Sequence, residues 1–217
     1  MEKNNDIDFY YQFESKSKYF KLSSYKIVLL AMIIALNLIL SIISVWVFQW
    51  IAIIGFLRIE ISFITYLICW KTINGFYAML IITPCTWMRY MGFDPNVEPV
   101  GLLSMNLSDL FIMGCFILFA WVFTIHKSFK NVYVKIFIIS LIICLIGSLF
   151  NILLNFTFLL DLYSFYFGVS FDYLKSWWYA GILTGYVYLK YMINLIMFIS
   201  IYKVLNIISK NDHHNNK

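Results

Sequence analysis

Long apolar runs separated by short polar breaks set the pattern of this chain, and six such runs stand out. The first, residues 27–50, is about as long as a helix needs to cross the hydrocarbon core of a bilayer. The others cover 59–70, 76–91, 101–124, 132–158 and 177–208. None shows the strict apolar–polar alternation of a membrane β-strand. The pattern therefore predicts six membrane helices, of which the second and third are short for full crossings. Asn74-Gly75 predicts a tight turn between them, and Pro84 a bend in the third. Residues 48–58 read as a loop, 92–99 as a rigid loop with two prolines, 126–131 as a short one, and 159–176 as an aromatic connection.

Composition agrees with this layout. The chain is 62% apolar and 20% aromatic but only 12% charged, against about a quarter charged in soluble domains. The expected fold is an all-α integral membrane protein, one bundle at 27–208 between tails at 1–26 and 209–217. The apolar run after the first tail is too long for a signal-peptide core, and no small-residue cleavage site follows it.

Six crossings put both termini on one side, and the lysines choose the side. Twelve of them fall in segments assigned inside: Lys3, Lys16, Lys18, Lys21, Lys26, Lys71, Lys127, Lys130, Lys135, Lys203, Lys210 and Lys217. Three basic residues fall outside: Arg58, Arg89 and Lys175. Cytoplasmic termini and a multi-pass protein of the cell membrane are the expectation. The net charge of +5 is thereby explained by topology rather than by nucleic-acid binding. Cys69, Cys85, Cys115 and Cys144 all lie in apolar runs without metal-ligand spacing and read as structural thiols. No metal site is expected from the three histidines.

Polar residues inside the apolar runs are the candidates for function, because charge at membrane depth is expensive. They are Asn106, Ser108 and Asp109 in the fourth run, Asn151 and Asn155 in the fifth, and Lys190 and Asn194 in the sixth. Asn151 and Asn155 are four apart, as are Lys190 and Asn194, so each pair shares a helical face. The plain alternative for the asparagines is interhelical hydrogen bonding. Lys190 either snorkels to the surface or finds a partner, and Asp109 is that partner or a cap at the start of the fourth helix. Gly181-x-x-x-Gly185 reads as a packing seam. Ala31 and Ala35 form a notch on one face of the first helix, suited to close approach by another helix, inside the protein or from a partner. Aromatics on the outer side, Tyr163 among them, are interfacial anchors that can also stack on a flat ligand. No nucleophile–base pair, phosphate-binding glycine loop or paired carboxylates appear, so binding fits better than catalysis.

Several stretches resemble one family, the substrate-binding S components of energy-coupling factor (ECF) vitamin transporters. Ala31-x-x-x-Ala35 resembles the family motif that docks the transmembrane coupling subunit. Phe56-Leu57-Arg58-Ile59-Glu60-Ile61-Ser62 is similar to the family's start of helix 2. Leu154-Asn155, Leu159-Leu160-Asp161-Leu162-Tyr163, Asn194-Leu195-Ile196 and Gly101 to Asn106 look like the riboflavin-specific branch. Asp161 stands where that branch has proline, and Met197 where it has a flavin-contacting lysine, a gap that Lys190 would fill from two turns away. The resemblance implies capture of a vitamin from outside, riboflavin first, with folate or thiamine as alternatives. The vitamin is the transported ligand, and no resident cofactor is expected. The partners implied are the coupling subunit and two cytoplasmic ATPase subunits. The implied site lies among the fourth to sixth helices, with Asn155 and Asn194 as the principal contacts and Asn106, Asp109, Asn151, Tyr163 and Lys190 around them. A non-transport membrane assembly protein, or a lipid enzyme, is the competing class.

Overall fold

The computed structural model describes residue 20 and residues 22–48, 59–91, 98–125 and 131–215. Among these the backbone is helical with short connections and no strand. The helices are α1 (Ser24–Phe48), α2 (Ile64–Thr72), α3 (Gly75–Met88), α4 (Pro99–Ile125), α5 (Val132–Leu154), α6 (Leu160–Phe167) and α7 (Trp177–Asn215). Four stretches are long and apolar enough to cross a membrane: Ser24–Phe48, Pro99–Thr124, Val132–Phe167 and Trp177–Ser209. The chain is an all-α membrane protein. α2 and α3 have 9 and 14 residues. At 1.5 Å per residue they extend about 13 and 21 Å, short of the roughly 30 Å hydrocarbon core. They form a hairpin packed on α7 and α4, α5 packs on both of those, and α1 sits at the edge against α2 and α3.

Local chemistry explains the helix limits. The Ser23 hydroxyl accepts from the Lys26 N–H at 3.3 Å, capping α1. Asn74 and Asn131 cap α3 and α5 by accepting from Tyr77 N–H and Tyr133 N–H, each at 2.9 Å. Asn74 is thus the first cap of α3 as well as the end of the hairpin turn. Trp70 of α2 meets Phe116 of α4 edge-on at 4.9 Å and Phe198 of α7 at 6.2 Å, fixing the hairpin to both. The four cysteines are free thiols.

Four features depart from the reading of the pattern. The second helix begins at Ile64, not at 59, and residues 59–63 are not helical. The aromatic connection is helical for half its length: α5 passes through a π turn at Asn155–Leu159 directly into α6. No proline stands between 155 and 167 to interrupt the helix, and Gly168, at φ 67°, ends it. α7 continues past 208 to Asn215. Gly181 and Gly185 lie on the exposed side of α7 with nothing within 4 Å of an added Cβ, so they form no seam among the described residues. Residues 49–58, 92–97 and almost all of 1–21 lie outside the described part, as does half of the Phe56-to-Ser62 stretch. Two lysines assigned to the inner side are themselves buried. Lys71 stands over the Tyr202 ring at 4.9 Å, and Lys135 donates to the Thr124 hydroxyl at 2.8 Å.

Candidate functional site

The non-helical stretch 59–63 organises a buried polar layer. Backbone groups in an apolar interior need partners, and here side chains from other helices supply them. The Ser44 hydroxyl of α1 accepts from Ile61 N–H at 3.1 Å. The Asn37 amide of α1 donates to the Ser62 carbonyl at 3.1 Å and to the Thr65 hydroxyl at 2.7 Å. Asn194 of α7 bridges the stretch: its oxygen accepts from Ile64 N–H at 2.9 Å, and its nitrogen donates to the Glu60 carbonyl at 2.7 Å and the Lys190 carbonyl at 2.8 Å. Asn194 lies near the centre of the Trp177–Ser209 span, so α2 starts at mid-span depth.

Two buried ion pairs occupy the same layer. Arg89, just past α3, pairs with Glu60 and donates to the Ser62 hydroxyl at 2.8 Å. Lys190 of α7 meets Asp109 of α4 at 3.2 Å, and the Tyr191 hydroxyl donates to the same carboxylate oxygen at 2.6 Å. Lys190 is therefore neither snorkelling nor free, and Asp109 is its partner rather than a cap. The second oxygen of Asp109 has no hydrogen bond, nor does the Asn106 amide nitrogen one turn away. The Tyr66 hydroxyl lies beside Thr86 and Asn37, yet none of Asn37 Oδ1, Tyr66 Oη and Thr86 Oγ1 has a partner at hydrogen-bonding geometry. The pairs neutralise each other charge for charge, so the layer is polar but balanced, as buried charge must be.

Eleven residues back along α4 and α7, about 16 Å at 1.5 Å per residue, the bundle opens into a cavity of about 160 Å³. Its walls are Glu98, Leu160, Tyr163, Phe167, Phe171, Leu174 and Tyr179. Leu160, Tyr163 and Phe167 share one face of α6 because they recur at helical spacing. Gly101 lets Tyr163 cross the first turn of α4: a Cβ there would lie 3.3 Å from the Tyr163 hydroxyl. The connection 168–176 beside the cavity carries Lys175, which bridges Asp161 at 2.6 Å and Asp172 at 3.1 Å. The Ser170 hydroxyl, and then Lys175, hold the Asp172 carboxyl below its ordinary range.

The residues singled out from sequence thus divide between two places. Asn106, Asp109, Lys190 and Asn194 belong to the polar layer. Tyr163 lines the cavity, and Asn155 adjoins it, its oxygen accepting from the Tyr179 hydroxyl at 3.4 Å. Asn155 also donates to the Asn151 carbonyl at 2.8 Å, while Asn151 accepts from the Ser108 hydroxyl at 2.6 Å. Asn155 and Asn194 are not brought together. Asn155 meets α7 at Tyr179, and Asn194 lies fifteen residues further along, about 22 Å. The hydrogen bonds of Asn194 are spent on backbone, not offered to a ligand. Ala31 and Ala35 lie on the exposed face of α1, away from the bundle.

Sequence reading missed Glu60, Arg89, Asn37, Tyr66, Thr86 and the cavity residues Glu98, Phe171 and Tyr179. One signal was present: Asn37, Ser41 and Ser44 recur at helical spacing within an otherwise apolar run and share a face.

Fold and site together define a helical membrane protein with a buried charged layer and an aromatic cavity at one end of the bundle. Comparison with protein-family models, with curated proteins and with solved structures found no match.

Proposed function

We propose that this protein is a membrane-embedded solute-capture subunit of an ECF-type importer, in a multi-pass cell-membrane arrangement of six helical elements with cytoplasmic termini. The observation that carries the reading is the coexistence of two buried ion pairs near mid-span with a cavity about 16 Å away along the same two helices. Ionisable groups at membrane depth are costly and mark solute or ion pathways by default. α2 starts at mid-span from a non-helical stretch, and non-helical backbone at that depth is tolerated where it is buried in protein or lines a cavity. The exposed Ala31 and Ala35 support a docking face on α1: two small side chains let a partner helix approach closely in lipid. The partners are then a coupling subunit and two ATPase subunits, since importing against a gradient needs a motor.

The family resemblance puts riboflavin first among ligands, ahead of folate or thiamine. Asn155 and Tyr163 are the residues of that proposal that stand at the cavity. Asn194 and Lys190 serve the layer that holds α2. The cavity volume is below the roughly 300–1,000 Å³ that encloses whole drug-sized ligands, so it suits a ring or head group. Purification in mild detergent followed by mass spectrometry of released small molecules tests the capture reading, and a co-purifying ATPase pair tests the importer. Ala31→Trp and Ala35→Trp should leave binding intact and abolish uptake. Uptake that survives both substitutions overturns the docking role.

A further inference from the structure

We infer that the π turn at Asn155–Leu159 is a register switch: it decides which residues of α6 line the cavity, and it can hand that face to a second set. The switch gives the cavity of the capture reading a way to change shape, while its geometry rests on the helix alone. Within the turn the Leu160 N–H bonds to the Asn155 carbonyl, five residues back instead of the four of an α-helix. One residue is taken up without advancing the helix, so everything after it is turned back by about 100° relative to an uninterrupted α-helix. The buried face shows the offset. In α5 it includes Cys144, Gly147, Ser148 and Asn151, and it continues to Asn155. Carried on at α-helical spacing, that face would pass through 158 and 162 and leave Leu160 on the far side. Instead Phe158 is 46% exposed, Leu160 is buried, and Leu160, Tyr163 and Phe167 face the cavity.

Relaxing the turn to α geometry rotates α6 by the same angle, about 100°, and moves it about 1.5 Å along its axis. Leu159, Leu162 and Tyr166 then stand where Leu160, Tyr163 and Phe167 stand now. Each cavity-facing position has an apolar or aromatic neighbour immediately before it in the chain, so the rotation exchanges leucine for leucine, tyrosine for leucine and phenylalanine for tyrosine. Either face of α6 can therefore be turned inward. Little anchors the present one. Leu160 is the one residue of α6 that is fully buried, and the Lys175–Asp161 pair is exposed and so a weak restraint. The Thr157 hydroxyl and the Asn155 amide donate to the Leu153 and Asn151 carbonyls, each at 2.8 Å. Such side-chain donors keep backbone acceptors satisfied while a helical ladder is remade in an apolar setting. The rotation breaks the bond from Phe171 N–H to the Ser164 hydroxyl at 3.0 Å, which favours the wide turn. A guest packed on Tyr163 and Phe167 binds the wide-turn register alone and shifts the population toward it.

Distances between two spin labels read the register directly. The labels go on Leu145→Cys in α5 and Asp161→Cys in α6, both exposed, in the full-length protein in nanodiscs with its four native cysteines replaced by serine. The two sites are farther apart by about 5 Å in the α register than in the wide-turn register. The wild type should show chiefly the shorter distance. Gly101→Ala, and more so Gly101→Leu, should raise the longer one, because an added Cβ meets the Tyr163 hydroxyl at 3.3 Å. Adding Tyr166→Lys should restore the shorter one, because the α register would turn the ammonium into an apolar cavity. If Gly101→Leu fails to fold, the alanine variant decides. A distance that stays short in the Gly101 variants overturns the switch, as does a longer one that Tyr166→Lys leaves in place. Either result makes the cavity a fixed one and leaves the capture reading standing. A register that moves in a protein from which no small molecule is released keeps the switch and counts against capture alone.

Discussion

Replacing Asn194 by leucine isolates the interaction that the polar layer depends on most. The two side chains are close in volume, so the change removes hydrogen bonds with little alteration of packing. Three bonds go: to Ile64 N–H at 2.9 Å, to the Glu60 carbonyl at 2.7 Å and to the Lys190 carbonyl at 2.8 Å. The Lys190 carbonyl lies within α7, so its loss counts for little. The Ile64 and Glu60 groups flank a non-helical stretch and have no helical substitute. A buried polar group left without its partner costs about 1–3 kcal/mol, while interhelical hydrogen bonds measured in a membrane protein average about 0.6 kcal/mol. Two orphaned groups therefore give an expected loss of about 2–6 kcal/mol, with the membrane average setting the floor near 1 kcal/mol. The control is Asn155→Leu, which loses one long contact at 3.4 Å and a bond within its own helix, and should cost under about 1 kcal/mol. Reversible unfolding in mixed detergent micelles measures both, and amide exchange at Ile64 should accelerate only in Asn194→Leu. If the two variants lose equal stability, the bridge across 59–63 is not what holds the start of α2.

Lys190→Met should cost about 3–5 kcal/mol by stranding Asp109, and adding Asp109→Leu should recover much of it; strict additivity in the same unfolding assay would deny the pair. Tyr66→Phe should change stability by less than about 1 kcal/mol, because its hydroxyl has no hydrogen-bond partner to lose. A loss above about 2 kcal/mol on thermal unfolding would mean that the hydroxyl is bonded after all. Gly181→Leu with Gly185→Leu should be tolerated or stabilising by up to about 1 kcal/mol per site through helix propensity, since among the described residues nothing lies within 4 Å of a Cβ added at either. Aggregation or unfolding of the variant in detergent would return the glycines to a packing seam.

What was legible in the sequence follows from what each signal reports. Apolar run length reports burial in lipid or protein, and it placed the starts of the long helices within three residues but stopped the last two short, at 158 and 208 where the helices run on to Phe167 and Asn215. It could not tell that 59–63 lies outside the helix, because Ile59, Ile61 and Phe63 are as apolar there as in a helix. That distinction is made by Ser44, Asn37 and Asn194, which lie 17, 25 and 130 residues from the atoms they serve. A long-range hydrogen bond leaves no periodicity behind. The same limit explains the site. Spacing four residues apart correctly paired Lys190 with Asn194 and Asn151 with Asn155 on shared faces, but said nothing about which end of the bundle each pair occupies. The structure puts the asparagine that pins the backbone and the asparagine beside the cavity at different depths, and this changes the chemistry assigned to each. An amide whose donors and acceptor are all spent on main chain sets where a helix begins, whereas one that touches a cavity-lining tyrosine through a single long bond can yield that bond to a guest. The division of labour between a rigid charged layer and an aromatic cavity with room for a head group is therefore a property of three-dimensional partnership, and only its polar ingredients were visible in the chain.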